Sequence, residues 1–237
     1  MKYSYMDCLA ELGVGGAHPG GLSLTKKILS KEEIQNSTKV LDAGCGTGRT
    51  SLYISEKYGC CVTGVDNHQT MIKKTRQRCL THNITIDFVH GSTEKLPFDD
   101  NVFDIVLSES VIAFTDASLT IPEMKRVLTS NGIVLAIEMV LENEVSNDEK
   151  QEIQDFYRVS QLLTVEDWDS LFQRAGFQNR SILSYPLEFD QNDPDLAPDF
   201  LLSDNMDPMY FDILKQHEYL TQKYKEVLGY RIFRCAI

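Results

Sequence analysis

Residues Val40 to Arg49 read Val-Leu-Asp-Ala-Gly-Cys-Gly-Thr-Gly-Arg, an apolar run with an acid at Asp42 that ends in glycines at 44, 46 and 48. Such a turn lets main-chain amides press against a ligand where any Cβ would collide. Twenty-two positions after Gly44, the next apolar run ends in Val65-Asp66. An acid ending the strand beside a glycine turn accepts both hydroxyls of a ribose. The pair points to a cofactor that contains a nucleoside. A dinucleotide site wants Gly-x-Gly-x-x-Gly, whose third small residue brings the helix close to the strand and exposes its N-terminus to a pyrophosphate. Counted from Gly44, that position is Arg49, which is too large.

Four side chains are candidates for acid–base work: His18, Glu109, Glu138 and His217. His18 lies in a segment that holds five of the 14 glycines, between Gly13 and Gly21, directly before a helix that Ser23 or Thr25 would start. Two of the four also have a plainer reading. His217 falls on the apolar stripe of an expected helix, where a core histidine bonded to a carbonyl fits. Glu138 ends an expected strand, where a carboxylate bonds backbone amides. No catalytic triad is evident, and no Cys-x-x-Cys pair suggests a metal or iron–sulfur centre.

The elements that must position these residues follow from periodicity. Residues 38–140 alternate short β-branched runs with helical segments, the pattern of βαβ units in a mainly parallel sheet. Strands are expected at 38–42, 60–65, 84–89, 103–108 and 132–139, and helices at 48–58, 68–81 and 117–129. Residues 142–163 are polar and mostly helical in character. Thr164 then caps an amphipathic helix with Val165, Trp168, Leu171, Phe172 and Ala175 on one side, which Gly176 stops. A strand at 180–186, a helix at about 208–228 and a last strand at 230–237 complete the chain. Between Arg180 and Lys215 there is no basic residue but there are eight acids, which reads as an acidic surface insertion. The expected organisation is a single domain: a glycine-rich helical lid (1–37), a cofactor-binding core (38–187), the acidic insertion with its helix (188–229) and a final core strand (230–237).

The Gly44-x-Gly46-x-Gly48 turn resembles motif I of the class I S-adenosylmethionine-dependent methyltransferases, and the likeness extends over residues 38–186 and the last strand. It implies an α/β fold, a doubly wound Rossmann-like sheet of seven mostly parallel strands with helices on both faces and an antiparallel last strand. It also implies S-adenosylmethionine as cofactor and S-adenosylhomocysteine as product. Asp42 would approach the methionine ammonium group, beside Gly44, Cys45 and Gly46, while Asp66, Asn67 and Met71 would serve the adenosine. Gly91-Ser92-Thr93-Glu94-Lys95-Leu96-Pro97-Phe98 resembles the family's Gly-Asp-Ala-Glu-x-Leu-Pro-Phe turn, which implies adenine contacts at Ser92, Thr93 and Glu94. Ser92 replaces the acid that receives the adenine amino group, and charge-assisted bonds are roughly twice as strong as neutral ones. Phe103 to Ser110 resembles the family's fourth strand, placing Glu109 and Ser110 at the crevice. The segment from Trp168 to Phe177 is similar to small-molecule members of the menaquinone and sarcosine type. His18-Pro19-Gly20-Gly21-x-x-x-Thr25 is similar to the lid loop of members that act on amines.

A sulfonium is already activated, so in-line transfer needs mainly alignment and water exclusion, effects worth ~7–11 kcal/mol. A general base is required only when the nucleophile arrives protonated or bears an acidic carbon. His18, Glu109 and Glu138 are the catalytic candidates. Tyr157, Trp168 and His217 are the acceptor candidates, the first two as an aromatic wall for a methylammonium group. The acceptor nucleophile is an amine nitrogen, an oxygen or an activated carbon. The net charge of −12 over 237 residues disfavours phosphate backbones and anionic lipid. Lys73, Lys74, Arg76 and Arg78, the densest basic group, read as the solvated face of one helix. The expected partner is a small-molecule acceptor, with no nucleic acid, no membrane and no metal, in a cytoplasmic monomer or homodimer whose six cysteines are free thiols. Two other readings stand beside this one: a methyltransferase-like binding protein without turnover, and an NAD-dependent oxidoreductase.

Overall fold

The computed structural model describes residues 2–186, 195–196, 199–204 and 206–237. The chain opens with α1 (Tyr5–Leu12), the two-residue strand β1 (Val14–Gly15) and α2 (Gly21–Leu29). A βαβ series follows: β2 (Lys39–Ala43), α3 (Arg49–Tyr58), β3 (Cys61–Asp66), α4 (Gln69–His82), β4 (Asp87–His90), β5 (Phe103–Glu109), α5 (Ala117–Val127) and β6 (Leu128–Leu141). Then come α6 (Asn147–Tyr157), α7 (Val165–Arg174), β7 (Asn179–Leu183), β8 (Asp199–Phe200), α8 (Met209–Lys223) and β9 (Leu228–Ala236).

Seven strands form one sheet in the order β4-β3-β2-β5-β6-β9-β7. All run parallel except β9, which lies antiparallel between β6 and β7, so the expected fold class is borne out. The strand order reverses between β2 and β5, which puts a crevice at their carboxyl ends, where open α/β sheets take ligands. The sheet reads as near-continuous apolar runs because both faces are covered. On one face, Leu41, Val106 and Val134 meet Ile121 and Met124 of α5 and Trp168 and Phe172 of α7. On the other, Val40, Ile105 and Leu135 meet Leu24 and Ile28 of α2 and Ile54 of α3. A third cluster joins α1, α6 and α8 through Tyr5, Phe156, Tyr157 and Tyr210.

Several boundaries differ from the expected ones for local reasons. The helix within 142–163 covers only Asn147–Tyr157, because Ser146 and Glu149 form a capping box: Ser146 Oγ accepts from Glu149 N and the Glu149 carboxylate accepts from Ser146 N. Thr164 caps α7 in the same way with Asp167. Strand β6 begins at Leu128, directly after α5, and β4 begins at Asp87. The acidic stretch is not a separate surface piece in its described residues, since β8 pairs antiparallel with β1. Nor are all four basic residues of α4 solvated: Lys73 and Arg76 are exposed, whereas Lys74 and Arg78 are buried. Among the described residues no helix is long and apolar enough to cross a membrane, and no three His, Cys, Asp or Glu side chains are grouped to hold a metal ion. All six cysteines are free.

Candidate active site

The glycine turn joins β2 to α3 at the carboxyl edge of the sheet. Gly44 N and Cys45 N both donate to the Val65 carbonyl, at 2.7 and 3.0 Å, which stitches the turn to β3. Gly44 has φ 85°, and a Cβ there would stand 2.3 Å from Val111 Cγ2, so its role is steric and internal. Gly46, with φ 53°, is different: a Cβ there would meet no atom within 4 Å and would project into open space. A ligand has room to come close to the main chain at this position. Asp66 flanks it, with Oδ2 accepting from Gly46 N at 2.9 Å and Oδ1 from His68 N at 2.8 Å. Each oxygen keeps lone-pair capacity for a hydroxyl donor. Burial raises the Asp66 carboxyl, an effect tempered by the His68 and Gly46 amides. A nucleoside fits this arrangement of open main chain and buried carboxylate.

Below the turn, Asp42 is 2% exposed and accepts from Ser51 Oγ of α3. Its carboxyl is pushed up to about 7, first by burial and then by the charge of Glu109. Glu109 ends β5 and gathers side chains from three other segments. Its Oε1 accepts from Thr25 Oγ1 of α2, its Oε2 from Thr50 Oγ1 of α3 at 2.7 Å, and His18 Nε2 lies 3.4 Å from Oε1. His18 is 8% exposed, its Nδ1 lies 3.1 Å from the Pro19 carbonyl and its Nε2 lies 3.3 Å from Thr25 Oγ1. An Nδ1–H donated to Pro19 leaves Nε2 as the nitrogen facing Glu109. Thus the glycine-rich N-terminal segment is docked onto the end of β5, and His18, Glu109 and Asp42 share one carboxylate-rich neighbourhood.

Glu138 is fully buried, and its oxygens accept from the amides of Val111 (3.2 Å), Ile112 (2.9 Å) and Ala113 (3.2 Å). The geometry therefore replaces the catalytic role expected for Glu138 with a positioning one. It caps the 3₁₀ turn Ile112–Phe114, and Val111 in that turn packs against Gly44. Ser110, at the same edge, adopts φ 56° and donates its amide to Ile137 O at 2.7 Å. Burial drives the Glu138 carboxyl from 4.5 up to about 7. A folded-state value above the unfolded one means that the folded protein holds the extra proton between about 4.5 and 7, so this contribution to stability is present at low pH and lost as pH rises through 7. Glu138→Gln keeps an amide acceptor without titrating. Chemical denaturation of the variant between pH 5 and 7 should show a shallower fall in stability than the wild type, by up to ~1.4 kcal/mol per pH unit. Identical slopes would contradict the assignment.

The residues expected on the adenine side occupy the loop after β4. Ser92 Oγ accepts from Glu94 N at 3.1 Å, Thr93 is buried, and Glu94 Oε1 accepts from Asp116 N at 2.8 Å, capping the approach to α5. The Gly91 amide donates to the Asp66 carbonyl at 3.0 Å, which ties this loop to the end of β3. Asn67 is exposed, with its carbonyl 3.0 Å from His90 Nε2, and Met71 is buried under α1. The Cys45 side chain packs in a cluster with Ile72, Cys79 and Phe88, while its amide donates to Val65 O and its carbonyl accepts from Gly48 N.

The three acceptor candidates separate. Tyr157 and His217 meet across 60 positions, with the hydroxyl 2.8 Å from Nδ1, and Tyr5 packs on both rings at centroid distances of 5.2 and 4.7 Å. Burial lowers the His217 imidazole, which suits it to accept from the Tyr157 hydroxyl. Trp168 is elsewhere: it is 1% exposed, its indole N–H donates to the Met139 carbonyl at 3.0 Å, and its ring packs on Phe172 and Phe233. It belongs to the core rather than to an aromatic wall. Sequence alone assigns Thr50 and Ser51 no role and Thr25 that of a helix start and the last residue of the His18-to-Thr25 motif; the one local signal for Thr50 and Ser51 is a pair of hydroxyl residues in the first turn of α3.

Comparison with known proteins bears on this geometry. Residues 40–132 match the family described as Methyltransferase domain. The chain is 36% identical to the uncharacterized methyltransferase YodH of Bacillus subtilis, with 97% of each chain covered. It is 30% identical to phosphoethanolamine N-methyltransferase of Plasmodium falciparum over 68% of this chain and 61% of that protein. It is 31% identical to glycine/sarcosine/dimethylglycine N-methyltransferase of Actinopolyspora halophila over 65% of this chain and 28% of that one. The fold superposes on Haemonchus contortus phosphoethanolamine N-methyltransferase 2 in complex with S-adenosyl-L-methionine with a TM-score of 0.80 at 18% identity, covering all of this chain and 58% of that one. With the glycine turn, the strand-end acid and near full-length identity to a methyltransferase all in agreement, the chain belongs to the S-adenosylmethionine-dependent methyltransferases.

Proposed function

We propose that this enzyme methylates the nitrogen of a small-molecule amine, with His18 Nε2 as the base and Glu109 as its partner. The observation that carries the reading is the buried His18–Glu109 pair, clamped by Thr25 and Thr50 at the end of β5. The cofactor, when bound, supplies a methyl group already activated on a positive sulfur. The turn at Gly46 and the carboxylate of Asp66 hold its nucleoside, and the packed lid keeps water out. An amine that arrives protonated has no free lone pair, so it must lose a proton before it attacks. His18 Nε2 takes that proton, and Glu109 Oε1 stabilises the imidazolium that results. Asp42, Asp66 and Glu109 together make a neighbourhood that favours cations, which suits both an ammonium acceptor and a sulfonium donor. The similar enzymes from Plasmodium and Actinopolyspora are named as N-methyltransferases, which supports nitrogen over oxygen or carbon.

The test is a mass-spectrometric screen with S-adenosylmethionine bearing a labelled methyl group and a panel of primary and secondary amines, phenols and quinols. Label in amines is the expected result. Label confined to phenols or quinols would overturn the nitrogen assignment, and cofactor binding with no transfer to any compound would make the chain a binder rather than an enzyme.

A further inference from the structure

Helix α4 carries two basic side chains one turn apart, Lys74 and Arg78, and both are buried. Taking an ammonium and a guanidinium out of water is unfavourable unless each finds full partners. Lys74 Nζ donates to the main-chain carbonyls of Glu11, at 2.7 Å, and Leu201. Arg78 Nε donates to the Thr47 carbonyl inside the glycine turn at 2.9 Å, while its Nη1 pairs with Asp199. The two cations therefore fasten three things together: the cofactor turn, the end of α1, and the strand β8.

Strand β8 in turn lies on the lid. Val14 faces Phe200 and Gly15 faces Asp199, and the ladder continues with Leu201 N to Gly13 O and Ser203 N to Glu11 O, both 3.0 Å. The lid strand is itself seated on the turn, since a Cβ on Gly15 would come within 3.0 Å of Thr47 Oγ1. A ladder this short has little stability of its own. The α4 cations add side-chain bonds to Asp199 and Leu201, so β1 is joined through its ladder to a strand that is itself fastened to α4.

We propose that residues 199–204 form a releasable latch over the lid, which must lift for S-adenosylmethionine to enter and for its product to leave. Arg78 bonds the cofactor turn and Asp199 at once, so occupancy of the turn and closure of the latch reinforce each other, as linkage requires. The mechanism holds whatever the methyl acceptor is, and its test needs no acceptor.

The experiment uses the full chain loaded with S-adenosylhomocysteine, following release after dilution into excess unlabelled ligand and amide exchange by mass spectrometry. In Asp199→Asn, release should be about tenfold faster, the size of one lost charge-assisted bond. Exchange at Leu201 and Ser203 should accelerate while exchange at the buried sheet amides of β2 and β5 stays as in the wild type, and Asp199→Glu should restore release close to the wild-type rate. In the wild type, bound S-adenosylhomocysteine should slow exchange at those two amides. Unchanged release in Asp199→Asn, or amides that exchange equally with and without ligand, would overturn the latch.

Discussion

Gly46→Val is expected to weaken S-adenosylhomocysteine binding about 100-fold while leaving the protein folded. The reason lies in the contrast between neighbouring glycines. A Cβ at position 46 meets nothing in the protein within 4 Å, so the main cost to the fold is the strain of a branched residue at φ 53°, roughly 1–2 kcal/mol. The ligand bears the rest, because the added methyl groups occupy the space through which it approaches the main chain. Overpacking of a closed contact typically costs 1–3 kcal/mol, and the upper end of that range corresponds to about a hundredfold in affinity. Gly44 would behave in the opposite sense: a Cβ there strikes Val111, and the damage would fall on the turn itself.

The second large effect is on turnover. Glu109→Gln should lower kcat about 100-fold with affinity for S-adenosylhomocysteine, which lacks the sulfonium charge, nearly unchanged. Glutamine keeps one oxygen to accept from one of the two threonine hydroxyls and turns a donor amide toward the other, so the contacts to Thr25 and Thr50 can persist, but it cannot stabilise a proton newly placed on His18 Nε2. General acid–base terms are typically worth 10²–10⁴-fold. Because His18 and Glu109 act on one proton, His18→Ala in the Glu109→Gln background should add little further loss, as groups working as a unit are non-additive. Steady-state kinetics of the four proteins on an amine substrate decides the matter. Losses that multiply would mean that the two residues act separately.

How much of this was legible in the chain depends on how far apart the partners lie. The glycine turn and Asp66 announce themselves because strand, turn and acid are close in sequence and each obeys a local steric rule. The sheet follows for the same reason, since buried parallel strands separated by helices have their own periodicity. What could not be read were contacts across many positions. Thr25 and Thr50 reach Glu109 from 84 and 59 residues away. Strands β1 and β8 have two residues each and carry no periodic signal. Lys74 and Arg78 looked solvated because their partners, Leu201 and Asp199, lie more than a hundred positions on. The aromatic character of Trp168 suggested a cation site, but its spacing with Phe172 on one apolar stripe was the better guide. Glu138 showed both of its readings in the sequence, and only the three amides gathered around it choose the structural one.

The most direct test of the account is calorimetric titration of S-adenosylhomocysteine into the wild-type chain and into Gly46→Val, with thermal melting recorded for both. Tight binding to the wild type, a loss of about two orders of magnitude in the variant and only a small change in melting would place the nucleoside on the β2 turn. Equal affinity in the two proteins would put the ligand elsewhere and contradict the site.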